Sequence, residues 1–265
     1  MRIATADVEI EVDAAGDTGP AIMLVHGLGG SRRTWETLAA ALAPAARVFV
    51  PDLRGCGDST RGTRPWTLAQ VADDIDEVAR RLGLGAYVLV GHSLGGVIAQ
   101  ELLVRQPLSV AAAVLISTSS RLNEKATENW RRLADSVEAR GLSMSADAAA
   151  RGYSEEFAGR QPDIVAAHAR IAAATDPKVY AEQARAASVY DYTTALARVA
   201  CPVLVVQGLA DRLTPPGGSV LLQRALPPNS RLEMIEGAGH NLPIERPRLM
   251  ADKILAFANE TLAEE

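Results

Sequence analysis

The stretch AYVLVGHSLGG, residues 86–96, decides how this chain folds. Residues 86–91 form a short run rich in valine and leucine, as in a strand buried on both faces. Apolar residues of helical period then begin at Leu94. Between them lies Gly91-His92-Ser93-Leu94-Gly95, a G-x-S-x-G turn joining strand to helix. Glycine on either side of Ser93 keeps so sharp a turn free of steric clash and lets the serine hydroxyl project beyond the strand end. The helix that follows offers unpaired N–H groups and a partial positive charge beside that hydroxyl.

Working outward, the same alternation recurs. Further strand-like runs are residues 21–26 (AIMLVH), 47–51 (RVFVP), 110–117 (VAAAVLIS), 202–207 (PVLVVQ) and 231–235 (RLEMI). Residues 8–12 alternate in the manner of an exposed antiparallel strand. Helical periodicity is read over 34–43, 67–82, 94–105, 218–225 and 247–262, with Thr67 as N-cap and Gln70 completing a capping box. Strand alternating with helix predicts an α/β fold, a mostly parallel twisted sheet flanked by helices. Between Ser117 and Pro202 the chain makes an Ala-rich helical excursion far longer than a crossover needs. It is read as an inserted helical cap, residues 121–192, on a core of 1–120 and 193–265. An insertion after a strand's carboxyl end lies where open α/β sheets bind ligands.

Composition narrows the function. Of 265 residues, 48% are hydrophobic and 22% charged, and the net charge of −5 argues against nucleic acid. No apolar run reaches bilayer length, so no membrane partner is expected. The first residues lack a basic segment followed by an apolar one, so no signal peptide is read and a cytoplasmic location is the default. Cys56 and Cys201 form neither a metal site nor a disulfide framework. Cys201 is expected to be buried, and Cys56, in a polar loop, to be reachable. No cofactor or metal is implied: ligand clusters are absent, and HGLGG at 26–30 lacks the lysine of a phosphate-cradling loop.

A serine hydroxyl needs a base to become a nucleophile. The chain has four histidines. His92 adjoins Ser93 and points elsewhere, His26 ends a strand, and His168 reads as a surface residue of the helical excursion. His240 sits in a loop after RLEMI that should reach the carboxyl edge of the sheet, which makes it the candidate base. Asp211, in the loop after PVLVVQ, is the candidate carboxylate to hold the imidazole tautomer. Glu124 and Glu236 are weaker alternatives by position. The order Ser93, Asp211, His240 suits this strand arrangement.

Five segments together resemble the α/β-hydrolase family: His26–Gly30, Asp52–Ser59, the elbow at 91–96, Gly208–Asp211 and Gly239-His240. The resemblance spans almost the whole chain. It implies an oxyanion hole from the backbone N–H groups of Leu28 and Leu94. Gly27, Trp130, Leu213 and Asn241 are read as candidate pocket residues, with simple core as the other reading of Trp130. Within the family the segment GHNLPIERP, 239–247, is similar to 3-oxoadipate enol-lactonase-like and other bacterial carboxylester hydrolases. The implied reaction is hydrolysis of a small carboxylic ester or lactone through an acyl-enzyme on Ser93. Carbon–carbon bond hydrolysis of a diketone, cofactor-free peroxidase chemistry, acyl transfer and a lyase step would reuse the same residues. A non-catalytic small-molecule receptor is the alternative of another class. Asp52–Ser59 and His26 are read as mainly structural, and Trp35 and Trp66 as core. Arg131 and Arg132 are read as a solvated face.

Overall fold

The protein is described by a computed structural model covering residues 1–107 and 109–262. Among these residues, eight strands form one sheet: β1 (Arg2–Ala4), β2 (Glu9–Ala15), β3 (Ala21–Val25), β4 (Arg47–Pro51), β5 (Tyr87–His92), β6 (Val110–Ile116), β7 (Val203–Gly208) and β8 (Arg231–Ile235). Their spatial order is β1-β2-β4-β3-β5-β6-β7-β8. The β1–β2 and β2–β4 pairings are antiparallel and the remainder parallel. Residues of β3, β7 and nearly all of β5 and β6 are buried, which explains their unbroken Val, Leu, Ile and Ala content. β8 lies at the edge and is only half-buried. β1 escapes the sequence reading because three mostly exposed residues carry no apolar pattern.

The helices α1 (Glu36–Leu42), α2 (Leu68–Arg81), α3 (Leu94–Leu103), α9 (Pro216–Ala225) and α11 (Pro247–Leu262) supply the layers on the two faces, and α10 (Leu242–Glu245) is a single turn. One face packs Leu89 and Val205 beneath α2 and α3, with Val97 of α3 in the same cluster, and the other packs Val90 and Val114 beneath α1 and α11, with Phe257 of α11 in the same cluster. Trp35 and Trp66 are both core residues. The Thr67 hydroxyl accepts from Gln70 N–H at 3.1 Å and so caps α2. The reciprocal half of the expected capping box does not form. The Gln70 carboxamide turns instead to the Arg64 guanidinium and Asp74.

After β3 the chain moves outward to β4, then crosses back over β3 to β5. The strand order therefore reverses between β3 and β5, and a crevice opens outside their carboxyl ends. Between β6 and β7 lie α4 (Glu124–Arg140), α5 (Ala146–Ala150), α6 (Glu155–Arg160), α7 (Pro162–Ala173) and α8 (Pro177–Ala186). Asn123, Ser145, Ser154 and Asp176 cap α4, α5, α6 and α8 by accepting from first-turn N–H groups. A lone antiparallel bridge between Arg121 and Asp191 closes this excursion at its base. Arg131 and Arg132 are exposed. No helix among the described residues is long and apolar enough to cross a membrane.

The loop after β4 departs from expectation at one residue and deepens it at another. Cys56 is fully buried rather than reachable, beneath Gln183 of α8, whose Nε2 lies 2.8 Å from its Sγ. Burial pushes its thiol up to about 12, so it carries no thiolate reactivity at neutral pH. Cys201 is half-buried. Arg54, with no exposed surface, donates from Nε and Nη2 to the two carboxylate oxygens of Asp74, at 2.6 and 2.9 Å. Its Nη1 reaches Asp7 at 3.0 Å. Breaking such a buried pair leaves an unpaired charge, so the network locks the loop after β4 in one arrangement.

Candidate active site

Ser93 sits between β5 and α3 with φ 55° and ψ −118°, a conformation rarely adopted by a residue with a side chain. A Cβ at Gly95 would overlap the carbonyl oxygens of Val25 and His26, and one at Gly91 would overlap the Gly95 carbonyl. Only glycine therefore lets α3 sit against β3 closely enough to hold the elbow. The Ser93 N–H donates to the Ile116 carbonyl at 2.9 Å, tying the turn to β6. Its hydroxyl faces a cleft and has no protein partner among the described residues.

Asp211 and His240 lie in the loops after β7 and β8. His240 Nδ1 donates to Asp211 Oδ2 at 2.9 Å. The Asp211 carboxylate is saturated otherwise: Oδ1 accepts from the N–H groups of Leu213 and Thr214, each at 2.8 Å, and Oδ2 from Gln207 Nε2 at 3.0 Å. Burial disfavours the charge, but the hydrogen bonds from His240, Thr214 and Gln207 outweigh it and hold the carboxyl below its ordinary range. The wholly buried Gln207 is itself fixed by the Ser219 hydroxyl, 2.6 Å from its Oε1. Asp211 thus stands as a fixed anion that accepts from the Nδ1–H of His240.

The loop after β3 is shaped by His26, which donates from Nδ1 to the Gly27 carbonyl at 2.9 Å and accepts at Nε2 from Leu53 N–H at 3.0 Å. Among the described residues, the N–H groups of Leu28 and Leu94 make no hydrogen bond within the protein. Leu94 opens α3 directly after Ser93, and Leu28 follows Gly27, which packs on Ser93. His92 also serves this site: its Nε2 donates to the His240 carbonyl at 2.9 Å. Burial, aided by the neighbouring His240, drives the His92 value down to about 3, so the ring stays neutral and bonds as a fixed donor.

The cleft has two lobes that meet at Ser93, Leu28, Trp130 and Leu213. One, of about 550 Å³, runs along β6 and α4 and is lined by Leu94, Val97, Ala126 and Tyr190. The other, of about 610 Å³, runs beneath α7 and is lined by Gly27, His92, His168, His240 and Asn241. Gly27, Trp130, Leu213 and Asn241 therefore all reach the cleft. Leu213 is otherwise 55% exposed, and Trp130 packs on the core as well. His168 is not a surface residue. It lines the cleft, and its ring accepts from the Tyr153 hydroxyl at 2.7 Å. A single histidine in an Ala-rich helix gives no sequence signal for this. Among the described residues no group of three His, Cys, Asp or Glu side chains is arranged to hold a metal ion.

Two ties between the helical excursion and the site loops were also not legible. Glu245 is buried and accepts from Gly239 N–H at 2.9 Å, Ser154 N–H at 3.0 Å and the Ser154 hydroxyl at 2.8 Å. One carboxylate thereby pins the His240 loop to α6. At the other end Gly29 N–H donates to Gln183 Oε1 of α8 at 2.9 Å.

Residues 20–247 match the family described as the alpha/beta hydrolase fold, and the chain belongs to that family. It is an α/β-hydrolase enzyme. A thermophilic esterase from Thermogutta terrifontis superposes with a TM-score of 0.91 over 98% of this chain and 99% of its own, at 29% identity. 3-Oxoadipate enol-lactonase 1 of Acinetobacter baylyi is 27% identical over 87% of this chain and 85% of its own. Polyketide synthase ThaQ of Burkholderia thailandensis is 31% identical over 93% of this chain, which spans only 12% of that protein's length.

Proposed function

We propose that the enzyme hydrolyses a small carboxylic ester or lactone through an acyl-enzyme on Ser93. The observation that carries this reading is the His240–Asp211 hydrogen bond of 2.9 Å, with His240 and Ser93 lining one cleft. Similarity to an esterase and an enol-lactonase supports the substrate class.

In this reading His240 Nε2 removes the Ser93 proton as Oγ attacks the carbonyl carbon. The oxyanion that forms is held by the Leu28 and Leu94 N–H groups, which are fixed before charge develops. His240 then returns the proton to the departing alkoxide. The acyl-enzyme is released when His240 activates a water molecule by the same route. Asp211 stabilises the imidazolium in each half-reaction and does not take the proton. Residues 121–192 act as a cap that covers the cleft and sets which substrates enter, fastened to the site loops through Glu245–Ser154 and Gln183–Gly29. The test is hydrolysis of p-nitrophenyl butyrate by the wild type and by Ser93→Ala. Turnover confined to the wild type is expected. Equal rates in both proteins contradict the proposal.

A further inference from the structure

His168 belongs to the cap helix α7, yet its ring is committed to the cleft. The Tyr153 side chain is fully buried, and burial pushes its phenol upward, so the hydroxyl keeps its proton. A buried O–H must be donated to something, and His168 Nδ1, at 2.7 Å, is its one partner among the described residues. Nδ1 is therefore an acceptor, and in a neutral imidazole the proton sits on Nε2. The ring does stay neutral: burial and the nearby His240 drive its value down to about 4. Among the described residues Nε2 has no protein partner and is not sealed from the cleft. The Asn241 carboxamide, on a residue only 6% exposed, lines the same lobe and makes no side-chain hydrogen bond among the described residues.

The two lobes are chemically unequal. His240 lines the His168 lobe and is absent from the other, whereas Leu94, with its oxyanion-binding N–H, lines the other. The group that protonates the leaving oxygen must stand on the leaving-group side. The alcohol portion of the substrate therefore extends into the His168 lobe, and the acyl portion lies along Val97 and Ala126. Resting on the ester or lactone reading above, we propose that His168 is a specificity-determining residue. Its Nε2–H, set by Tyr153, selects substrates whose alcohol portion carries a second oxygen acceptor, such as an ether or carbonyl, beyond the scissile bond.

The test compares 2-methoxyethyl butyrate with butyl butyrate, which differ by one oxygen in place of one methylene. The readout is the ratio of their kcat/KM values. His168→Phe is expected to lower that ratio about threefold to tenfold, the value of one neutral hydrogen bond. His168→Gln, which restores an N–H donor, is expected to recover most of it. A ratio unchanged in His168→Phe, with both esters still hydrolysed, overturns the inference and leaves the hydrolase reading intact. Hydrolysis of both esters at the rate of Ser93→Ala overturns the hydrolase reading instead. Imidazole nitrogen chemical shifts give a readout independent of turnover and of variant folding. The wild-type protein should show His168 neutral and protonated at Nε2 at pH 7, and protonation at Nδ1 overturns the inference.

Discussion

The carboxyl edge of the sheet and the helices of 121–192 face each other across one cleft, but they are built on different terms. At the sheet edge each reacting group is held by backbone constraint. Ser93 is fixed by a strained elbow wedged between Gly91 and Gly95, and Asp211 by four hydrogen bonds. Across the cleft, Trp130 and His168 project from amphipathic helices whose only demand is that one side be apolar or small. The chemistry is thus tied to positions that tolerate almost no change. The far wall of the cleft is built from positions where many side chains would fold equally well.

The largest effects are expected at the groups of the sheet edge. Ser93→Ala should lower kcat/KM for p-nitrophenyl butyrate by about 10⁴-fold or more while the far-ultraviolet circular dichroism is unchanged. Asp211→Asn should cost about 10³- to 10⁴-fold in kcat, because the carboxamide can no longer hold the productive tautomer or stabilise the imidazolium. A loss under tenfold would mean that another acid orients His240. Trp130→Ala, on the other side of the cleft, should change preference rather than chemistry. It removes a wall shared by both lobes, so the ratio of kcat/KM for hexanoate over acetate esters should shift by roughly tenfold. A uniform loss across chain lengths would break the division between the two regions.

Stability should divide along the same line. Gly95→Ala sets a methyl group against the Val25 and His26 carbonyls and should destabilise the fold by about 1–3 kcal/mol in urea melts. The helices of 121–192 contribute a pH term. His168 is held to about 4 by burial and by His240, against an ordinary value near 6.5. The unfolded chain then binds more protons between those values, so stability falls as pH drops from about 6.5 toward 4. His92, held to about 3, adds to the same slope. Asp211, with its lowered value, contributes stability at neutral pH that is lost only at more acid pH. His168→Gln should flatten the stability difference between pH 7 and pH 5, and an unchanged difference would show that this ring is not neutral in the folded protein.

What could be read from the sequence follows from the same contrast. Buried parallel strands leave continuous apolar runs, and a strained turn leaves glycines, so β3, β5, β6, β7 and the elbow were visible with their approximate bounds. Ser93 and Asp211 follow such strands and His240 follows the half-buried edge strand β8, so all three were expected at the carboxyl edge of the sheet. Three exposed residues in β1 left no trace. Cys56 looked polar in its loop because Gln183, the residue that covers it, lies far along the chain. His168 and Glu245 were missed for the same reason. Their partners Tyr153 and Ser154 come from a segment whose helical period says nothing of which face meets the cleft.

The central claim is that Ser93 carries an activated hydroxyl, and intact-mass measurement after treatment with a fluorophosphonate addresses it most directly. One adduct per chain, located on Ser93 by peptide mapping and absent from Ser93→Ala and strongly slowed in His240→Ala, is the predicted result. A folded wild-type protein that stays unmodified, or one modified equally after Ser93→Ala, would contradict the account.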